Sequence, residues 1–456
     1  MTHSVHALES LGRVHFIGIG GVGMSAVARI MVASGVPVSG SDAKDLPVMH
    51  DLAAAGARIN VGYDAGHLGD AQTVVAGSAI RDDNAELAAA RQAGLPVLHR
   101  SEALAATMAG HKVVTVAGTH GKSTTTSMVA VLLKEAGFDP TFAIGANVPS
   151  LGVNAARGSS DIFVAEADES DGSFLNYRPL IAVVTNVEAD HLDHYGTAEA
   201  VFASFDAFAA LLPREGLLLA CADDAGARAL AERTAASGTT RVLTYGTTNN
   251  AGIRLEDDGT GNVSIAVDGA SHAVHLQVPG RHNALNAAAA FGVALELGVD
   301  PVAAAAALGH FTGASRRFEF KGEGRGVRVY DDYAHHPTEV RAALSAAKSV
   351  AGDNKVHVLF QPHLFSRTRE FAAEFAGALD LADTALVLDI YPAREDPIPG
   401  VTSALIADKL SRGCLVSAAD AVSALVSGAR DGDVVLTVGA GDVTAYGPAI
   451  VEALDG

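Results

Sequence analysis

Short apolar runs of strand length alternate with Ala-rich helical stretches along nearly the whole chain, and this rhythm restricts the fold more than any other feature. Val14–Ile19, Val36–Ser39, Thr73–Ala76 and Val97–Leu98 read as strands with helices between them. A second series runs through Val113–Ala117, Ile162–Ala165 and Ile181–Thr185 to the Ala-rich helix after Asn283. A third starts near Gly313, with Val327–Tyr330, Val356–Phe360, Thr384–Leu388 and Val434–Val438. Strand, helix and strand in succession imply parallel sheets covered by helices, an α/β class. Arg241–Val278 breaks the rhythm: its short alternating runs and Asp-Gly turns predict antiparallel strands inserted in the central unit. A chain of 456 residues exceeds one core of ~100–200 residues, so three domains are expected, over residues 1–108, 109–312 and 313–456.

Composition narrows the function classes. Apolar residues make up 49% of the chain, yet no stretch nears the roughly 20 uninterrupted ones of a membrane span, so this hydrophobicity belongs in folded cores. The first strand begins too near the N-terminus to leave room for an export signal, and a cytoplasmic protein without a membrane partner is expected. The two cysteines, Cys221 and Cys414, lack metal or redox spacing and read as buried small hydrophobes in a reducing compartment. With 32 basic against 52 acidic residues the net charge is −20, which opposes nucleic-acid binding. Backbone amides and a few placed cations can still hold a small phosphate ligand.

Two glycine loops stand where such a ligand would bind. Gly18-Ile19-Gly20-Gly21-Val22-Gly23 follows a strand, opens a helix and is succeeded by Asp42 at the end of the next strand. A nicotinamide dinucleotide, a UDP-sugar and a merely tight turn all remain open for it, since amides near a pyrophosphate do not discriminate among diphosphates. Gly118-Thr119-His120-Gly121-Lys122-Ser123-Thr124 follows the strand Val113–Ala117. It is a shortened phosphate loop, G-x-x-G-K-[ST]. Its amides can cradle phosphates, Lys122 balances the β/γ charge and the Ser123 hydroxyl can ligate Mg²⁺; the bland alternative is a capped Gly turn.

Further polar clusters sit beside strand or helix ends. Glu166-Ala167-Asp168-Glu169-Ser170-Asp171 and Thr185–His194 follow apolar strands, and the carboxylates and His191 suit a cation accompanying phosphates. Pro279–Asn286, Ser315–Glu319, Asp331–Glu339 and Phe360–Arg369 follow. Each could be a cap or turn, as Pro337 could simply start a helix, but together they exceed what folding requires.

In this order and over essentially the whole chain, the segments GIGGVGMS, GTHGKST, EADESD, NVEADHLDHYG, PGRHNALNA, RRFE, DDYAHHPTEV and FQPHLFSRT resemble the Mur ligase family. The resemblance implies a Rossmann-like N-terminal domain for a UDP-sugar, a central P-loop ATPase-like domain for ATP and Mg²⁺, and a Rossmann-like C-terminal domain. It is nearest the members that join L-alanine to UDP-N-acetylmuramate through an acyl phosphate; a recycling ligase adding a tripeptide, or a nucleotide-gated regulatory protein, is the alternative. The resemblance assigns Gly18, Gly20, Gly21, Gly23, Asp42 and Ser78 to the UDP-sugar. It assigns Gly118–Thr124, Asn283, Asn286, Arg317 and Asp332 to ATP, and Ser123, Glu166 and His191 to the metal. Tyr333, His363 and Arg367 would face the amino acid and the carboxylate, Lys122 and Arg317 would serve catalysis, and His335 or His336 would accept a proton. Two departures from the family pattern stand out. Leu364 occupies a place where many relatives have Arg, and no lysine lies between Lys134 and Lys321 to supply the carbamylated lysine of sister ligases.

Overall fold

The computed structural model describes residues 7–258, 261–393 and 395–455, with the backbone alone at 193. Its strands form three sheets of five, ten and six strands. The chain divides into two compact units. One takes in the chain up to Glu256 with Ser264–Val274 and Leu285–Phe311; the other holds Thr312 onward with 275–284 and the stretch from Asp257 to Val263.

The first sheet, in the first unit, contains β1 (Val14–Ile17), β2 (Val38–Asp42), β3 (Arg58–Val61), β4 (Thr73–Ala76) and β5 (Val97–His99). Their order is β3-β2-β1-β4-β5, parallel throughout. The order reverses between β1 and β4, and at such a switch point the loops diverge and leave a crevice for a ligand. Gly18 follows β1 and Ser78 lies just beyond β4, so both border it. The sequence reading missed β3 because Arg58-Ile59-Asn60-Val61 is a short, half-exposed edge strand with only two apolar residues, Ile59 and Val61.

The second sheet contains β6 (Lys112–Ala117), β7 (Thr141–Ala143), β8 (Ala155–Ala156), β9 (Ile162–Glu166), β10 (Ile181–Val184), β11 (Leu217–Cys221), β12 (Arg241–Gly246), β13 (Ile253–Asp257), β14 (Asn262–Val267) and β15 (Ala270–His275). The order is β15-β14-β13-β12-β11-β10-β6-β9-β7-β8. Strands β6, β9, β10 and β11 are apolar and almost wholly buried, as expected where helices cover both faces. The segment after Arg241 departs from expectation: β12 pairs parallel with β11 and β13 parallel with β12, so these two strands continue the sheet. Its helix-free alternation reports a sheet margin with one wet face, and periodicity alone carries no information about strand direction.

The third sheet, in the second unit, contains β16 (Glu319–Gly324), β17 (Val327–Asp332), β18 (Val356–Phe360), β19 (Thr384–Val387), β20 (Gly413–Leu415) and β21 (Val434–Val438). The order is β16-β17-β21-β18-β19-β20, with only β16 antiparallel to its neighbour. Alternating faces pack on the helices Pro337–Ala351 and Ala372–Leu379 on one side and on Ala421–Gly428 and Tyr446–Asp455 on the other. Cys221 is buried as expected, whereas Cys414 lies exposed on the outermost strand β20. Among the described residues, no helix is long and apolar enough to cross a membrane.

Candidate active site

Strand β6 leads into the loop Gly118–Thr124, and the segment after the neighbouring strand β10 clamps it. The Asn186 side chain accepts the His120 N–H at 2.7 Å and donates to the His120 carbonyl at 3.0 Å. The Glu188 N–H donates to Thr119 Oγ1 at 2.9 Å. Gly121 has a φ of +81°, a left-handed conformation natural to glycine, and a Cβ there would lie 2.9 Å from Asn286 Oδ1. Asn286 therefore lies against the loop it was expected to serve. Ser123 is buried in the first turn of the following helix, Lys122–Glu135, next to Lys122.

Lys122 defines the electrostatics. Its Nζ donates to the carbonyls of Gly118 at 2.7 Å and Thr119 at 3.1 Å, and it pairs with Glu169 at 2.9–3.0 Å. Burial disfavours the ammonium, but the carboxylates of Glu169, Asp168 and Glu166 outweigh it and hold the lysine charged well above its ordinary value. His191 Nε2 lies 3.6 Å from the same Glu169 carboxylate and 3.7 Å from Asp190. Burial opposes protonation there too, and these two acids reverse the balance and raise the pKa of His191. The imidazole is aimed from a left-handed backbone, φ +56°, an uncommon conformation for a non-glycine residue. Glu166, at the end of β9, accepts the Gly145 N–H at 2.9 Å.

Sequence reasoning took the whole acidic run as suited to a cation and assigned only Glu166 to the metal. The distinction comes from the backbone: the strand ends at Glu166, and the turn beyond it carries Glu169 inward until its side chain is only 2% exposed.

In the glycine loop after β1, the Gly20 N–H donates to Asp42 Oδ2 at 3.0 Å, so Asp42 faces the loop's own amide. A Cβ on Gly20 would stand 2.5 Å from Leu46 Cδ1 and 2.9 Å from Asp42 Oδ2. Arg100, unnoticed in the sequence, lies against Gly23, where a Cβ would meet its Nη1 at 2.6 Å. A guanidinium at this helix start adds a cation to a position already favourable for anions. Ser78 Oγ is 3.0 Å from His99 Nε2 and donates to Asp171 Oδ2 at 3.1 Å. The loop after β9 thus carries Glu169, paired with Lys122, and Asp171, bonded to Ser78. Beneath the first sheet's crevice, the buried Glu86 carboxylate binds His15, Ser41, His67 and the Asp64 N–H. Burial raises its pKa, and the bonds to His15, Ser41 and the Asp64 N–H more than offset that, leaving it below the usual glutamate value.

The other expected residues lie in the second unit. Asn283 donates to the Pro279 carbonyl at 2.7 Å, and burial alone pushes neighbouring His282 down to about 4. Asp332 accepts the N–H groups of Phe318 and Ala334, each at 2.8 Å. Burial nevertheless pushes Asp332 up to about 6, against the opposing Arg317 and those two bonds. Tyr333 carries two guanidinium groups, Arg316 at 4.8 Å and Arg317 at 5.0 Å from its ring centroid. Arg316 also donates to the carbonyls of Gly439 and Gly441 at 2.6 and 3.0 Å, anchoring this segment. Arg316, Phe318 and Leu364 all have positive φ, between +47° and +70°. Such backbone strain in non-glycine residues collects at functional segments.

His363 stacks on Tyr391 with ring centroids 5.9 Å apart, and Arg367 is buried on the short helix Phe365–Glu370. His335 is 5.9 Å from the His363 ring. Burial pushes His335 down to about 3, with Arg367 and His363 adding to the effect and Glu339 opposing it. The two histidines read as proton acceptors sit in different surroundings. Those of His335 hold its pKa low, while His336 caps the helix Pro337–Ala351, its Nδ1 accepting the Thr338 N–H at 3.4 Å. Arg316 and Glu339 stood in quoted clusters without a role, and Tyr391 went unnoticed, because their partners are distant in sequence or are backbone groups.

Family models match three consecutive stretches: Mur ligase family, catalytic domain over residues 13–112; Mur ligase middle domain over 116–294; and Mur ligase, glutamate ligase domain over 316–441. The UDP-N-acetylmuramate–L-alanine ligase of Paenarthrobacter aurescens is 84% identical over 456 residues, covering 100% of both chains. The ligase of the same name from Renibacterium salmoninarum is 62% identical over 451 residues, covering 98% of this chain and 97% of that one. Among solved structures, the UDP-N-acetylmuramate-alanine ligase of Thermotoga maritima superposes with a TM-score of 0.78 at 29% identity, covering 97% of this chain and 98% of that one. A murein peptide ligase from Psychrobacter arcticus gives 0.72 at 26% identity, with the same coverage.

Proposed function

The chain belongs to the Mur ligase family, and from that membership we propose that it joins L-alanine to the lactyl carboxylate of UDP-N-acetylmuramate, at the expense of ATP, in peptidoglycan biosynthesis. The observation that carries this reading is end-to-end identity of 84% with a ligase of that name. A carboxylate is a poor acyl donor to an amine, because oxide is a poor leaving group. Phosphoryl transfer from ATP to the lactyl carboxylate forms an acyl phosphate. The neutral amine of L-alanine then attacks the carbonyl carbon, and phosphate departs.

The roles are assigned on chemistry and on the family resemblance. Gly118–Thr124 would cradle the nucleotide phosphates, with Lys122 and Arg317 stabilising charge on the transferring group. Asn283, Asn286 and Asp332 are assigned to the rest of ATP; Gly18, Gly20, Gly21, Gly23, Asp42 and Ser78 to the UDP-sugar; Tyr333, His363 and Arg367 to the amino acid and carboxylate. The donor set of Ser123, Glu166 and His191 suits Mg²⁺, since hydroxyl and carboxylate oxygens are hard ligands. Buried, acid-rich surroundings that raise the pKa of Lys122 and His191 favour a cation there as well. When bound, the metal would offset negative charge on the phosphates. His335 or His336 is assigned to accept a proton from the amine; burial weakens His335 as a base, and His336 also caps its helix. The division of labour follows the three segments 1–108, 109–312 and 313–456, and the compartment is the cytoplasm.

The test is phosphate release with ATP, Mg²⁺ and UDP-N-acetylmuramate, adding each common amino acid in turn and then the tripeptide of the recycling reaction. Stimulation by L-alanine above all others is expected. A preference for the tripeptide would move the chain to the neighbouring activity, which the Psychrobacter likeness at 26% identity keeps in view.

A further inference from the structure

We propose that Glu169 is a positioning residue that holds the charge of Lys122 while the phosphate loop is empty, and releases it to a nucleotide only when a divalent cation takes over the carboxylate. The proposal rests on Gly118–Thr124 being the nucleotide loop. It adds a residue outside the expected metal set and makes nucleotide and cation bind as a coupled pair.

The argument begins with saturation. An ammonium has three donors, and Lys122 directs them to the carbonyls of Gly118 and Thr119 and to Glu169. To meet a phosphate it must give up at least one of these bonds. Glu169 cannot be left behind cheaply, because it is 1% exposed and a buried carboxylate without a counter-charge is strongly unfavourable. An arriving phosphate would make this worse by placing more negative charge beside Glu169, Asp168 and Glu166. His191, 3.6 Å from the same carboxylate, supplies a nearby cationic or metal-ligating group but cannot reproduce the lysine's direct contact. A divalent cation removes the conflict: it neutralises Glu169 as Lys122 turns to the phosphates. Coupling of this kind is reciprocal, so a bound cation must favour nucleotide as much as nucleotide favours the cation.

Two binding experiments test this without turnover. In the first, ADP is titrated calorimetrically into the full chain with Mg²⁺ or with a chelator, for the parent and Glu169→Gln. The glutamine variant should bind metal-free ADP about tenfold or more tightly, the scale of one lost charged hydrogen bond, and gain correspondingly less from Mg²⁺. Glu169→Asp keeps the negative charge and should keep a strong Mg²⁺ dependence. In the second, Mn²⁺ binding without nucleotide is followed by electron paramagnetic resonance for the parent and Lys122→Met. Freed from the lysine, Glu169 should raise Mn²⁺ affinity by a similar factor. A purely structural Glu169 would give weaker metal-free ADP binding in Glu169→Gln and no Mn²⁺ gain in Lys122→Met. Either result in a variant that melts like the parent overturns the proposal, and the Mn²⁺ arm decides it alone if Glu169→Gln does not fold. If the parent binds no ADP under either condition, the reading of the loop itself fails instead.

Discussion

Replacing Lys122 by Ala should cost both turnover and stability, and the second cost can be worked from its surroundings. The Lys122 side chain is 13% exposed and that of Glu169 2%, so the variant leaves a carboxylate buried without its cation. Breaking a buried pair by removing one partner costs about 3–5 kcal/mol. The lower end applies, because His191 at 3.6 Å offsets part of the stranded charge. In the double variant Lys122→Ala/Glu169→Gln the stranded charge is gone, and roughly 1 kcal/mol should remain for lost packing and hydrogen bonds. The double variant should therefore be more stable than Lys122→Ala by about 2 kcal/mol. The chain has no Trp, so urea unfolding is best followed by far-UV circular dichroism. Turnover should fall by ~10²–10³ in the single variant, the scale of losing one preorganised charge-stabilising group. Equal urea midpoints for parent and Lys122→Ala would show that the buried pair adds nothing. A double variant less stable than Lys122→Ala would also refute the charge argument.

Three further outcomes follow from the same geometry. Gly20→Val drives a side chain into Leu46 and Asp42 and should abolish the thermal protection given by UDP-N-acetylmuramate; the parent should gain ~2.7 kcal/mol at a hundred times the dissociation constant, and NADH should protect neither. Asp332 is raised from 3.8 to about 6, so the folded chain binds more protons over that interval and this group's contribution to stability falls as pH rises through it. Urea midpoints from pH 4 to 7 should show a smaller loss for Asp332→Asn than for the parent, and parallel curves would place the titration elsewhere. Because no lysine lies between Lys134 and Lys321, turnover should be the same in CO₂-depleted and bicarbonate-supplemented buffer. Rescue by bicarbonate would require a carbamylated lysine from another part of the chain.

The sequence by itself determined the α/β class, most strand positions and the neighbourhood of each motif. These depend on local rules: buried parallel strands need continuous apolar runs, phosphate loops need Gly at fixed spacing, and Pro337 starts a helix because it lacks an N–H that the first turn would leave unpaired. Local rules stop where partners come from distant segments. The parallel pairing of Arg241–Gly246 with Leu217–Cys221 depends on which sheet edge is open, and alternation cannot encode that. The tertiary structure alone separated Glu169 from Glu166, because composition is shared within EADESD and only the turn after β9 buries one of them against Lys122. It also set His335 and His336 apart: burial pushes the first down to about 3 and helix geometry makes the second a cap, although the two stand side by side in sequence. A side chain's identity states what it can do in water; its proton affinity and its task depend on desolvation and on neighbours that folding brings from elsewhere in the chain.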